Sequence, residues 1–262
     1  GRAAEHHDGY FVDFIQQGEQ GAVGADFFAG RGQQQSRDAG SVVEAGADEY
    51  VLPPLWNTGS QKITWDLNLP TNIADGWSWG SNYRFIGQCL LFLQQLPHAR
   101  GVTDEQKRAW AAEANFLLAY YHMVTLVAYG PCPITDTYID QATPESEYNG
   151  RMHFDYVKDW ICQKFDEVCE DGQLPATRTG DEWGRATSVM AKALKARLLV
   201  YAASPLFNGS FPYKDWENTN FETPGYGNVL ISLKYDRNKW VAANDACQEA
   251  ITATEAAGLK LF

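Results

Sequence analysis

Long apolar runs are missing from this 262-residue chain. No stretch reaches the roughly 18 residues that a membrane-spanning helix needs. The opening GRAAEHHDGYF also lacks the charged-then-apolar order of a signal peptide. Positive charge is scarce: 21 Lys and Arg stand against 33 Asp and Glu, a formal net charge of −12. That balance argues against a nucleic-acid partner, whose phosphates demand clustered cations. Cysteine is sparse and scattered, at Cys89, Cys132, Cys162, Cys169 and Cys247. No CxxC pair exists, which argues against a zinc ribbon. Cys162 and Cys169 fall on one expected helix about 10 Å apart by helical rise, too far for a disulfide. The five thiols therefore read as small buried hydrophobes. His6 and His7 beside Asp8 have no third ligand nearby, so neither a metal nor a cofactor is expected.

What is present is a core and many aromatics. Hydrophobic residues make up 45% of the chain, and the aromatic share is 13%, with nine Trp. Residues 3–19 fit a short helix with Tyr10, Phe11, Phe14 and Ile15 on one side. From about 20 to 75 the text is rich in Gly, Gln, Asp and Asn, broken by Pro53, Pro54 and Pro70, and reads as an irregular region with tiny extended pieces.

Helices follow. GSNYRFIGQCLLFLQQL, residues 80–96, spaces Tyr83, Ile86, Leu90 and Leu93 at helical intervals and stops at Pro97. Thr103 is the expected N-cap of the next helix, with Asp104 and Glu105 well placed against the positive helix end. That helix runs to about Ala128 and carries two apolar stripes. One is Trp110, Leu117, Tyr121 and Val124; the other is Ala109, Ala112, Phe116, Tyr120, Met123 and Val127. Two stripes imply neighbours on two sides. Gly130, Pro131 and Pro133 end it. Residues 152–170 are the cleanest amphipathic segment, with Phe154, Val157, Ile161, Phe165 and Val168 in register. An alanine-rich helix over 185–203 offers Ala186, Ala193 and Ala196 for close approach and stops at Ser204-Pro205. An aromatic-rich irregular insert at 208–237 precedes a last helix from about Asn238 to Ala257, capped by Gly258. No strict repeat of about 34 residues is visible. The expected fold is all-α: a single domain over 1–262 of degenerate tetratricopeptide-like helical repeats, with long irregular loops at 20–75 and 208–237 and at most a few tiny strands.

Three blocks resemble the SusD/RagB-like outer-membrane nutrient-binding lipoproteins. AEANFLLAYYHMVTLVAYGPCPITD is similar to the family's helix-and-turn signature through Glu113, Ala114, Phe116, Leu117, Ala119, Tyr120, Tyr121, Tyr129, Gly130, Pro133, Ile134 and Thr135. GRATSVMAKALKARLLVYAASPLFNG, residues 184–209, resembles its Gly-Arg-Ala-Thr helix and ending, and NYRFIGQCLLFLQQL its preceding helix. The blocks keep the family's order and spacing. Leu118 stands where the family often has Arg, so Glu113 is expected to find another cation or water. The resemblance implies the N-terminal, helical-repeat portion of a protein about twice as long, tethered at the cell surface in the outer membrane by an N-terminal lipid whose cysteine this sequence does not carry. It further implies a non-catalytic role: capturing oligosaccharides, or peptides in some branches, for a SusC-like TonB-dependent transporter.

The candidate glycan surface is DGWSWGSN, residues 75–82. An indole ring stacks on the C–H face of a sugar, and an amide donates to and accepts from hydroxyls at once. Trp77, Trp79 and Asn82 fall where starch-binding relatives place an aromatic arc; the competing role is core filling by both Trp and N-capping by Asn82. Lys62, Trp65 and Asp66 are expected to border the same surface. Phe211, Tyr213 and Trp216 in the second loop either line a groove or pin the loop, and pinning is favoured. His122 reads as a satisfied core or groove histidine. Glycosidases need two opposed carboxylates, and pairs such as Glu145/Glu147 and Asp181/Glu182 read instead as solvated surface. Glycan capture is thus the leading expectation, peptide binding the second and glycoside hydrolysis the third.

Overall fold

The computed structural model describes residues 79–140 and 142–260. The expectations for 3–19 and 20–75 lie outside the described residues. The backbone groups into two compact units, Gly1–Gly80 with Arg178–Arg185, and Ser81–Thr177 with Ala186–Phe262.

Among the described residues there are five α-helices: α1 (Trp79–Gln95), α2 (Asp104–Tyr129), α3 (Phe154–Glu167), α4 (Ser188–Ala203) and α5 (Arg237–Ala256). The fold is all-α as expected, and among the described residues it has only two isolated bridges, Glu217 to Val229 and Thr223 to Gly227. Local chemistry sets the ends. Thr103 and Gln106 form a reciprocal capping box at the head of α2. Thr187 accepts from the Met190 N–H to start α4, and Asp236 from the Asn238 N–H to start α5.

Within the larger unit, sequential helices pack on one another, α2 on α3, α3 on α4, and α4 most extensively on α5. The α3 stripe is buried at every expected position: Phe154, Val157, Ile161, Phe165 and Val168 are each no more than 2% exposed. On α4 and α5, Ala191, Ala196, Ala243, Ala246 and Ala250 are buried, and small side chains there permit close approach. Ala186 is buried just before α4, whereas Ala193 is exposed. Lys195 bonds both carboxylate oxygens of Asp166 (2.7 and 2.8 Å) and Lys192 bonds Glu249, tying α3, α4 and α5 along their polar edge. Three cysteines are buried, but Cys169 and Cys247 are half-exposed, which corrects the expectation of five buried thiols; all five are free.

The two stripes read on α2 are only partly the buried faces. Ala112, Phe116 and Met123 are buried, but Trp110, Leu117, Tyr121 and Val124 are half-buried, and Val127 is exposed. The second buried face is instead Leu118, His122 and Thr125. His122 and Thr125 reach it because each bonds its own helix backbone one turn back, to Leu118 O and Tyr121 O, both at 2.8 Å. Leu118 joins Ile86, Cys89 and Leu90 of α1 in a core cluster. Glu113 is half-buried rather than buried.

At the end of α2 the Gly130 N–H donates to Leu126 O, and Gly130 takes φ +69° and ψ −145°, a region closed to side chains bearing a Cβ. An added Cβ would also meet the Trp216 ring at 3.3 Å. Gly130→Ala is expected to lower unfolding free energy by about 1–3 kcal/mol in denaturant titration.

His122 holds the segment after this turn. The Thr135 N–H donates to its Nε2 at 3.1 Å, so the proton sits on Nδ1 and is donated to Leu118 O. Burial pushes this imidazole down to about 4, and His153 likewise. A histidine whose folded value lies below its unfolded value of about 6.5 stabilises fully above that pH, and the stabilisation is lost as pH falls toward 4. The melting midpoint is therefore expected to drop between pH 6.5 and 4, with a shallower drop in His122→Gln; an unchanged slope in the variant contradicts this origin.

Candidate functional site

Trp79 is the first residue of α1 and is half-buried. Asn82 lies one turn further along. Because the helix already begins at Trp79, Asn82 is inside its first turn and not its N-cap. It is 4% exposed, and among the described residues its Nδ2 finds no hydrogen-bond partner. A buried donor left unpaired costs about 1–3 kcal/mol. The other members of the expected surface, Lys62, Trp65, Asp66 and Trp77, lie outside the described residues.

The residues after Asn82 fix its position. The Tyr83 hydroxyl donates to Pro133 O at 2.7 Å, and its ring meets His122 edge-on at 6.3 Å. Burial pushes its phenol well above the ordinary value. Phe85 stacks on Tyr121 of α2 at 4.9 Å. The segment beyond Gly130 is gripped from the other side as well. Arg151 Nη1 donates to Pro131 O at 2.5 Å, Asn149 Nδ2 to Ile134 O at 2.9 Å, and the Met152 N–H to Cys132 O at 3.2 Å. Trp160 packs its ring 4.7 Å from His122. His122 is thus a satisfied core histidine.

The second loop is fastened down at most of its aromatics. Phe207 stacks on Phe154 at 4.1 Å, and Trp216 stacks on Phe211 at 5.4 Å while covering Gly130. Main-chain bonds run from Leu230 N–H to Trp216 O (3.1 Å) and from Phe154 N–H to Leu230 O (2.8 Å). Asn218 bonds Arg151 O, and Asn208 brackets Asp236 through both its amide atoms. Phe211 and Trp216 therefore pin the loop; Tyr213, 69% exposed, is the one of the three that faces solvent.

His153 shows the opposite tautomer to His122. It caps α3 by accepting the Asp155 N–H at Nδ1 (3.1 Å), so Nε2 carries the proton toward Ser232 Oγ at 3.2 Å. Tyr226 stacks on its ring at 4.0 Å, and its N–H donates to Thr223 Oγ1 at 2.9 Å. Asp155 is paired with Lys239 at 2.7 Å. Of the carboxylate pairs, Glu145 and Glu147 are exposed in a short 3-10 turn, while Glu182 is held by Arg178 and Arg185 at 3.0 and 2.8 Å. The sequence reading passed over His153 and Arg151. A histidine directly before the Phe-Asp start of an amphipathic run was a usable cap signal; nothing local marked Arg151.

The chain is 55% identical to BT4246, with a TM-score of 0.75, over 81% of this chain and 36% of that one. The selenomethionine form of BT4246 gives 52% identity and a TM-score of 0.68, over 80% and 34%. A laminarin-binding SusD-like protein is 24% identical, with a TM-score of 0.52, over 62% and 35%. No protein-family model matches the chain, and no curated protein matches it. The chain spans about a third of the length of the solved structures it matches. The described residues share the fold of a SusD-like protein.

If the Asn82 amide is a donor held in reserve, its removal does not harm the free protein. Asn82→Leu is expected to leave the melting midpoint within about 3 °C of wild type or to raise it, because an unpaired buried amide is replaced by an apolar group of similar size. A fall of about 10 °C would mean that the amide is structurally paired.

Proposed function

We propose that the chain is the glycan-capturing part of a cell-surface, lipid-anchored SusD-like protein. It takes up a neutral oligosaccharide and delivers it to a SusC-like TonB-dependent transporter in the outer membrane. The observation that carries this reading is the unpartnered, buried Asn82 Nδ2 in the first turn of α1. Such a donor is stable where a ligand hydroxyl completes it. Trp79 in the same turn and Trp77 just before it supply indole faces for stacking, and Trp65 and Lys62 extend the surface. Binding needs no catalytic group: stacking and hydroxyl hydrogen bonds suffice, and both leave the glycan intact. A neutral sugar also meets no repulsion from a chain of net charge −12. The laminarin-binding neighbour makes laminarin the first probe.

Affinity electrophoresis in gels containing laminarin, starch, dextran or mannan tests this. The chain is expected to be retarded in at least one gel. Trp77→Ala combined with Trp79→Ala weakens the retardation at least about tenfold, the order expected for losing two stacked rings. If every neutral polysaccharide fails while peptides bind, the site is a peptide site; release of reducing ends by the pure protein would make it a hydrolase.

A further inference from the structure

The loop Arg178–Arg185 spends much structure on one side chain. Trp183 is 78% exposed, more than any other large apolar residue among the described residues. The backbone that carries it is nevertheless tied down. The Glu182 N–H donates to Thr179 O, the Trp183 N–H to Gly180 O and the Arg185 N–H to Glu182 O, at 3.1 to 3.3 Å. Glu182 receives Arg178 on one carboxylate oxygen and Arg185 on the other, and the two arginine side chains are only 10% and 13% exposed. Gly180 and Gly184, with φ +61° and +92°, turn the chain on both sides of the tip. An added Cβ at either would meet nothing within 4 Å among the described residues.

The geometry points to Trp183 as a further carbohydrate-stacking platform, taking one sugar ring of a neutral glycan. This rests on the glycan-binding reading above. A protein partner fits the loop less well. Trp183 is the sole large apolar side chain between Thr177 and Thr187, and one indole ringed by charge is far smaller than the roughly 800 Å² per partner of a stable interface. A single sugar ring needs only such a face, with polar neighbours for its hydroxyls. Exposed Thr179 and Asp181 provide these. The Arg–Glu–Arg brace lowers the backbone entropy lost on binding, because the loop that carries the ring is already ordered.

The test uses the full chain labelled with 5-fluorotryptophan and followed by fluorine NMR, with Trp183 and Trp79 assigned by the signals lost in Trp183→Phe and Trp79→Phe. The titrants are laminari-, malto-, isomalto- and manno-oligosaccharides. The Trp183 signal is expected to shift saturably with the oligosaccharide whose parent polysaccharide retards the chain. Trp183→Ala is expected to weaken that retardation about tenfold, and Trp183→Phe less. Movement of Trp79 with a silent Trp183 overturns this inference and leaves the first site standing. Silence of every signal with every sugar overturns both. A Trp183 signal that responds to protein concentration but to no sugar makes it a protein contact.

Discussion

The architecture depends on how α2 ends. Once Gly130 has turned the chain through a backbone region that only glycine tolerates, the segment Pro131–Thr135 leaves the helix with its carbonyls and amides needing partners. They are met from several directions: His122 from within α2, Tyr83 from α1, Arg151 and Asn149 from the segment before α3. Trp216 of the second loop closes over Gly130. One turn thus sets where α1, α3 and the loop 205–236 meet α2. One of the three blocks that resemble SusD-like proteins, residues 112–136, contains this turn.

Histidine chemistry makes the arrangement specific. A neutral imidazole is donor at one nitrogen and acceptor at the other, so His122 links a helix carbonyl to a loop amide while remaining uncharged in the core. His153 does the reverse at the head of α3, accepting at Nδ1 and donating at Nε2. Both roles require the neutral ring, and burial keeps it neutral. Asn82 adjoins this network, because Tyr83 follows it directly.

Much of the helical scaffold was legible in the sequence, for local reasons. Thr103 followed by Asp-Glu-Gln, the stripe from Phe154 to Val168 and the Gly-Pro-Cys-Pro stop are signals within a few residues of their effect. What escaped was non-local or polar. Thr125 does not read as core by hydropathy, yet it buries because its hydroxyl bonds its own helix one turn back; His122 did read as a core or groove histidine, but its bond to the Thr135 amide did not show. Tyr83 meets Pro133 fifty residues away, and no window carries that pairing. Asn82 read as a cap or an exposed contact; a helix starting one turn earlier made it an interior residue. Nothing local singled out Trp183, and only the brace around Glu182 sets it apart.

The central claim is that a neutral His122 carries the segment after Gly130. Nitrogen NMR of the imidazole rings at pH 7, combined with hydrogen exchange at the Thr135 amide, tests it directly. The account predicts that His122 is protonated at Nδ1 and bare at Nε2, with the Thr135 amide protected nearly as well as the α2 core. A proton on His122 Nε2, or a Thr135 amide exchanging at the rate of an open loop, would contradict it.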